Sequence, residues 1–271
     1  MDLDYLETFS ITLILVSIFL GGIVKGSVGI GMSMFSVPII AFILPPTKAM
    51  MLLCFPIVVT NLIQMNIKKR ISDYRFFPMF FMLFVGILIG GKLILKLNFQ
   101  TISIIIALTI IFFTFVNFLG LNLKNIKQKN ENILSIIIGF FSGILGGLST
   151  FYAPPIITFL VSLNLDKESF IRTTATMYLL ASIPLYSSLI YHGLGDIYDL
   201  LISLALTIPA LLGQYFGTKI RMKLSNEIFR KTILSILIII GFSLLIKNLW
   251  KFINEIQNYI IKWNRINRLI I

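Results

Sequence analysis

The residues best suited to chemistry lie in a glycine-rich stretch from Gly22 to Ser33, inside a long apolar run and followed by Pro38. A second copy of this stretch lies 117 residues further along the chain. The shift places Gly22, Gly26, Gly29 and Pro38 on Gly139, Gly143, Gly146 and Pro155. Glycine-rich interruptions of two apolar segments at matching positions are typical of the binding site of a transporter.

Such an interruption is suited to binding an anion. A helix that stops inside a membrane leaves the first N–H groups of the next segment unpaired, and these groups carry a positive partial charge. Glycine lets a ligand approach the main chain, while short hydroxyl groups and Lys25 add further donors. The candidate substrate-binding residues are therefore Lys25, Gly26, Ser27, Gly29, Gly31, Ser33, Ser142, Gly143, Gly146, Gly147, Ser149 and Thr150.

Other interpretations of these residues remain open. No acidic residue lies in either copy, which disfavours a cation site built on carboxylates, although main-chain carbonyls could still bind a cation. The glycines could instead let two helices pack closely, and Lys25 could extend to the membrane surface. Cys54 is the only cysteine, so the sequence predicts neither a disulfide within the chain nor a cysteine metal site. No cofactor and no metal are expected.

The elements that hold the two copies are predicted to be membrane-spanning helices. Of the 271 residues, 57% are hydrophobic and 13% are charged. Most of the uncharged stretches are long enough to cross a membrane, which takes about 20 residues, and they predict an all-α polytopic protein with about 8–10 membrane segments. We expect it in the cell membrane as a multi-pass protein. The net charge of +12 lies mostly between the segments, which indicates contact with anionic lipid rather than with nucleic acid.

The segments form two predicted halves, 1–120 and 133–247, joined by a basic connector at 121–132. The predicted helices cover 8–25, 32–44, 48–66, 76–95 and 99–120 in the first half, and 133–147, 151–163, 168–191, 197–218 and 228–247 in the second. Acidic rather than basic residues precede the first helix, so we expect a retained helix and not a cleaved signal peptide. The tail, 248–271, is predicted to be an amphipathic helix in the membrane interface, with binding of a soluble partner as the alternative.

A second pair of matching blocks supports an internal duplication. At an offset of 127 residues, Gly86, Gly90, Lys92, Lys96 and Leu97 match Gly213, Gly217, Lys219, Lys223 and Leu224. Equivalent loops of the two halves differ in their content of Lys and Arg, which mark the cytoplasmic side, and this favours an inverted repeat. The basic tail would then lie outside, which disagrees with that arrangement.

Polar residues inside predicted spans are further candidates, because polar groups are costly in a membrane. Asn61 and Gln64 lie three residues apart on one helix and could line a pathway or bond to neighbouring helices. Arg172 and Thr173 begin a span and could form a gate, with an interfacial anchor as the alternative for Arg172.

The two glycine motifs resemble those of the TauE/SafE family, the sulfite exporters. The first copy, from Gly22 to Pro38, is similar to the family's first-helix motif, and the second, from Gly139 to Pro155, is similar to its recurrence. Arg172, Thr173 and Thr174 also resemble the family, and the likeness covers nearly all of the chain before the tail. It implies a duplicated transmembrane fold that moves sulfur-containing or related organic anions across the cytoplasmic membrane.

The function predicted is therefore secondary transport of a small anion: sulfite, an organosulfonate or a related sulfur-containing anion. Coupling to protons, the direction of transport and the oligomeric state stay open. An intramembrane enzyme is the first alternative, but neither a Gly-x-Ser-x-Gly nor a His-Glu-x-x-His sequence occurs, so we expect no enzyme. A membrane scaffold that recruits a partner through its tail is the second alternative.

Overall fold

The part of the chain that the structure describes consists of helices joined by short turns, and it contains no strand. The computed structural model describes residues 2–41, 43–65, 74–93, 95–96, 128–163 and 165–225, together with single positions between 101 and 115 and between 227 and 250. The helices are α1 (Asp2–Val28), α2 (Met32–Ile40), α3 (Pro46–Met51), α4 (Cys54–Met65), α5 (Phe77–Leu93), α6 (Gln128–Ser149), α7 (Ala153–Ser162), α8 (Lys167–Tyr191) and α9 (Ile197–Lys223), with a 3₁₀ turn at Tyr74–Phe76.

Several of these helices are suited to a membrane. Within the described ranges, four segments are long and apolar enough to cross one: Thr8–Val28, Thr47–Met65, Glu131–Leu148 and Ile197–Lys223. Two shorter apolar helices, Phe77–Leu93 and Ala153–Ser162, accompany them. The predicted all-α membrane architecture is confirmed at this level. The spans predicted at 99–120 and 228–247 fall on residues that are described only in part.

Two pairs of parallel helices join the first half of the chain to the second. In one pair α1 lies against α9, so that an added Cβ on Gly22 or Gly26 would overlap a main-chain oxygen of α9. In the other pair α6 lies against α5 in the same way. The overlapping pairs are Gly22 with Ala210, Gly26 with Gln214, Gly143 with Leu83 and Gly147 with Ile87. Glycine is required here because the two backbones touch.

These contacts recur at an offset of 121 residues between α1 and α6, whereas the sequence match predicted 117. Gly26 and Gly147 occupy equivalent places. An added Cβ on Gly217 would lie 2.9 Å from the Cα of Gly26, and one on Gly90 would lie 3.0 Å from the Cα of Gly147. The offset of 127 between α5 and α9 agrees with the sequence match. The discrepancy of four residues is about one helical turn, which keeps glycines on the same face of the helix, so glycine spacing alone did not distinguish the two alignments.

The helix breaks begin later than predicted. Helix α1 continues through Gly26 to Val28, and α6 continues through Gly143 to Ser149. The interruptions are confined to 29–31 and 150–152. The predicted start of the breaks was wrong because glycines that pack against a neighbouring helix keep helical dihedrals. These two helices end where Gly29 and Thr150 adopt a positive φ.

Helix α2 turns back along α1 after the first break. The Ser36 hydroxyl donates to the main-chain oxygen of Ser17 at 2.9 Å, and Gly21 lies beside Met32. Helix α7 follows the second break and is buried along its whole length. Residues 128–132, predicted as connector, belong to α6. Of the predicted tail only Trp250 is described, so the amphipathic helix proposed there lies outside the described residues.

Helix α8 of the second half packs against α4 and α5 of the first, and about half of its buried residues are polar. It begins at Asp166, whose side chain accepts hydrogen bonds from the main-chain N–H groups of Glu168 and Ser169, as an N-cap does. At 25 residues it is about 37 Å long, enough to cross a membrane. It is not among the four apolar segments named above, and buried polar groups of this kind at membrane depth are a typical sign of a substrate pathway.

An ion cluster ties α3 to the start of α9. The Lys48 Nζ lies 2.8 Å from an Asp196 oxygen and 2.6 Å from an Asp199 oxygen. The two aspartates also form the capping box of α9, in which each side chain accepts from the other's main-chain N–H. The hydrogen bond from Lys48 holds the pKa of Asp196 below its usual value.

Acid is therefore expected to weaken this tether. A carboxyl whose pKa is lower in the folded protein contributes stability above its unfolded pKa of about 4 and loses it as the pH falls through the folded value. Asp196→Asn keeps a good N-cap residue but removes the charge. We expect thermal unfolding in detergent to show a lower Tm for the variant at pH 7, and a difference that shrinks progressively as the pH falls below about 4. A difference that is the same at every pH would assign the effect to capping alone.

Candidate functional site

The two helix breaks are buried in the protein interior. Residues 29–31 and 150–152 are all buried, and Gly29, Gly31 and Thr150 have φ angles of 86°, 97° and 67°. The Gly29 N–H donates to the oxygen of Lys25, and the Thr150 N–H donates to that of Gly146, both at 2.7 Å. A β-branched residue rarely adopts a positive φ, so the strained backbone at Thr150 is typical of a functional position.

Both breaks contact the same helix, α8. An added Cβ on Gly29 would lie 2.8 Å from the Ile171 side chain, and the rings of Tyr152 and Tyr178 have centroids 4.5 Å apart. Ile171 and Tyr178 are seven residues apart, which is two turns or about 10 Å along a helix. The two breaks therefore lie close together along α8.

Lys25 places a basic side chain next to Tyr178, the residue that contacts the second break. Its side chain is 2% exposed, and its Nζ donates to the Asn61 Oδ1 at 2.6 Å. The same Nζ lies 5.2 Å from the centroid of the Tyr178 ring. Within the described residues no carboxylate forms an ion pair with it. A buried charge without a counter-ion is costly, so a bound anion would stabilise this arrangement.

A group of amides fixes the position of Lys25. The Asn61 Nδ2 donates to the oxygen of Ile57 at 2.7 Å, which directs its Oδ1 to the ammonium. The Gln64 Nε2 donates to the Lys25 oxygen at 3.1 Å, and the Gln214 Nε2 donates to the Thr60 oxygen at 3.0 Å. Asn61 and Gln64, predicted to share a face, thus both contact Lys25. The bonds join α1, α4 and α9 around one cation.

Several buried hydroxyl groups of the two motifs lack partners. The Oγ atoms of Ser33 and Ser142 and the Oγ1 of Thr150 are buried and have no hydrogen-bond partner among the described residues. Ser27 differs, because its Oγ donates to the Val24 oxygen of its own helix at 2.9 Å. The side chain of Ser149 lies outside the described part. Buried hydroxyls are nearly always paired, so unpaired ones indicate an unseen ligand or water.

The glycines of the motifs have two different roles. Gly29 and Gly31 form the first break, whereas Gly26, Gly143 and Gly147 lie within helices against the backbones of α9 and α5. For those three, close packing is the interpretation that the contacts support. Contact between them and a substrate stays a prediction. Gly146 faces Tyr152, whose Cδ1 would lie 2.6 Å from an added Cβ.

The helices after the breaks also differ in their donors. Helix α2 starts after Gly31 without a side-chain cap, so its first N–H groups, including that of Ser33, have no capping side chain. Helix α7 also lacks a side-chain cap, but it starts Ala153, Pro154, Pro155, and proline has no N–H. Main-chain donors are therefore concentrated at the first break, and the second contributes chiefly hydroxyl and aromatic groups.

The predicted gate residues adjoin the first break. Arg172 and Thr173 follow Ile171, the residue against Gly29, in the early part of α8. Thr173 is buried and Arg172 is partly buried. Their position beside the site is compatible with a gate, which stays a prediction.

A family model described as "Sulfite exporter TauE/SafE" matches residues 13–244. The chain belongs to this family. No curated protein and no solved structure matched the chain. Members of the TauE/SafE family are membrane transporters, so membership agrees with the apolar helices and with transport of a small anion.

Three residues of this TauE/SafE site escaped the sequence analysis: Tyr152, Tyr178 and Gln214. The signal for Tyr178 was a stripe on a predicted span, since Thr174, Tyr178, Ser182 and Tyr186 recur every four residues. The signal for Gln214 was its place inside the repeated block, where the equivalent residue is Ile87. A comparison of the two repeated blocks would have shown Gln214 as a polar residue where the other block has an apolar one.

Proposed function

We propose that this TauE/SafE protein is a secondary transporter that binds one small sulfur-containing oxyanion, such as sulfite or an organosulfonate, between its two helix breaks. The observation that carries the proposal is the buried Lys25 ammonium. All of its neighbours among the described residues are uncharged. In this site the anion accepts from the ammonium and from the N–H groups at the start of α2. The hydroxyls of Ser142 and Thr150 are further donors.

One charge in the site suits one anion at a time. In the contact pattern of the two halves Lys25 is equivalent to Gly146, which has no side chain and is covered by Tyr152. The second break therefore adds donors without adding charge. A single cation would attract the anion and still allow its release, as a transporter requires.

An inverted arrangement of the halves would let the site open to either side of a cell membrane. Parallel packing of α1 with α9 and of α6 with α5 supports this proposal. Helix α4 also runs parallel to α9, since Phe55 bonds to Ser203 and Thr60 to Gln214. If α4 and α5 both span the membrane, they run in opposite directions. Helix α6 is parallel to α5, and α1 is parallel to α9 and hence to α4, so α6 then runs opposite to α1.

Thermal unfolding of the purified protein with a panel of solutes tests the substrate class. A ligand that binds only the folded protein stabilises it by RT ln(1 + [L]/Kd), about 2.7 kcal/mol at a hundredfold excess over Kd. We expect sulfite and short sulfonates to raise the Tm in a concentration-dependent way. Sodium and potassium salts of one anion should act alike, and the neutral dimethyl sulfone should have no effect.

A response to cations or to neutral sulfones alone would contradict the proposal. Uptake of labelled sulfite by proteoliposomes then tests transport itself, and an imposed pH gradient shows whether the flux is coupled to protons. If these vesicles take up sulfite no faster than protein-free vesicles, the protein binds anions but does not transport sulfite.

A further inference from the structure

Tyr178 carries a buried hydroxyl group that the fold does not use. The residue is 5% exposed, and its phenol oxygen has no hydrogen-bond partner among the described residues. A phenol in an apolar interior normally finds a partner, because an unpaired buried donor loses the hydrogen bond that water gave it. Phenylalanine would fill the same space without that cost. The fold therefore leaves this hydroxyl free to bond to a ligand.

The position of the Tyr178 ring indicates where that ligand would lie. The Lys25 Nζ lies 5.2 Å from the centroid of the Tyr178 ring. The ring centroids of Tyr178 and Tyr152 are 4.5 Å apart, with an interplanar angle of 51°. Lys25 belongs to the helix that ends at the first break, and Tyr152 belongs to the second break. Tyr178 is thus the residue of α8 that contacts both.

We propose that Tyr178 is a specificity-determining residue, whose hydroxyl donates a hydrogen bond to an oxygen of the anion that Lys25 binds. The inference rests on the proposed function. An anion with two or three oxygens can accept from the ammonium through one oxygen and from the phenol through another, with hydrogen bonds of about 2.8 Å each. A halide is a single atom, and it can bridge the two donors only if they converge on one point. Tyr178 thereby favours oxyanions over halides.

The substitution Tyr178→Phe tests this role in the full-length protein in detergent. Because it removes a hydroxyl without a partner, the Tm without added anion should stay the same or rise. Hydrogen bonds to charged groups are strong, so the affinity for sulfite, read from the Tm against its concentration, should fall about tenfold to a hundredfold. The affinity for bromide should be unchanged. A merely structural tyrosine would not produce this difference between the two anions.

Tyr186→Phe is the matched control. Tyr186 lies on the same helix, about 12 Å further along, and its hydroxyl is also buried and without a described partner. We expect its substitution to leave the sulfite affinity unchanged. An equal loss in both variants, or an equal loss for sulfite and bromide in Tyr178→Phe, would overturn the specificity role.

Lys25→Met separates this inference from the proposed function. If Lys25→Met abolishes sulfite binding while Tyr178→Phe binds sulfite like the unaltered protein, the role of Tyr178 is refuted and the anion site stands. If the unaltered protein binds neither sulfite nor any short sulfonate, both proposals are refuted. Loss of sulfite selectivity in Tyr178→Phe alone, with the Tm maintained, is the outcome expected.

Discussion

Replacing Lys25 with methionine is expected to abolish both sulfite-dependent stabilisation and sulfite flux. Methionine has nearly the length and shape of lysine, so it fills the same buried space between α1, α4 and the Tyr178 ring. It removes the one charge that the described site offers to an anion. Removing a buried partner of a charged ligand costs about 3–5 kcal/mol, which corresponds to a loss of affinity of more than a hundredfold.

The stability of the unliganded protein should change in the opposite direction or hardly at all. Burial of an ammonium without a carboxylate is unfavourable, and an apolar side chain of similar volume avoids that cost. The Asn61 Oδ1 loses its donor, which offsets part of the gain. A Tm in detergent that is equal to or above that of the unaltered protein, together with lost flux, is the combination we expect.

Lys92→Met is the matched control for charge. Lys92 lies in the last turn of α5 and is exposed, so the same substitution removes a positive charge outside the site. We expect its flux to be close to normal. If Lys25→Met transports sulfite at the normal rate, Lys25 does not bind the substrate and its charge must have another explanation.

The sequence was sufficient to predict the helical membrane architecture and the approximate place of the breaks. A water-soluble protein of this size cannot bury so many long uncharged runs, so the class of fold follows from composition and segment length. Gly29 and Gly31 were identified because a cluster of glycines inside an apolar run is not needed to cross a membrane and therefore indicates a break in the helix. The second break was placed less well, since it depends on Thr150, a residue whose positive φ no pattern indicates.

Contacts between distant segments account for what the sequence did not reveal. Gly26 and Gly147 are equivalent because they face equivalent residues of α9 and α5. The alignment by glycine spacing instead matched Gly26 with Gly143, one helical turn earlier. Tyr178 and Gln214 reach Lys25 or its neighbours only because α8 and α9 pack against α4. The prolines at 154 and 155, by contrast, were visible in the sequence. Because proline has no N–H group, they leave the second break with fewer main-chain donors than the first.

Gly26→Ala and Gly147→Ala are expected to destabilise the protein strongly, although alanine is the better helix former. In a helix interior, exchange of glycine for alanine alone would stabilise by about 1 kcal/mol. At these positions the new methyl group would overlap the main-chain oxygen of Gln214 or of Ile87, atoms that cannot rotate away. Overpacking costs about 1–3 kcal/mol and more where a backbone must move. The Tm in detergent should fall for both variants.

Gly91→Ala shows whether the obstacle must be a backbone. There the added methyl group meets the Ser188 hydroxyl, a side-chain atom that can turn aside, so the loss should be clearly smaller. Similar losses for Gly26→Ala and Gly147→Ala are also expected, because the two interfaces are built from equivalent contacts. Two variants that both gain stability, as helix propensity alone predicts, would contradict close packing and return Gly26 and Gly147 to the list of possible substrate contacts. A loss confined to one variant would show that the halves, though related in contact pattern, carry unequal shares of the stability.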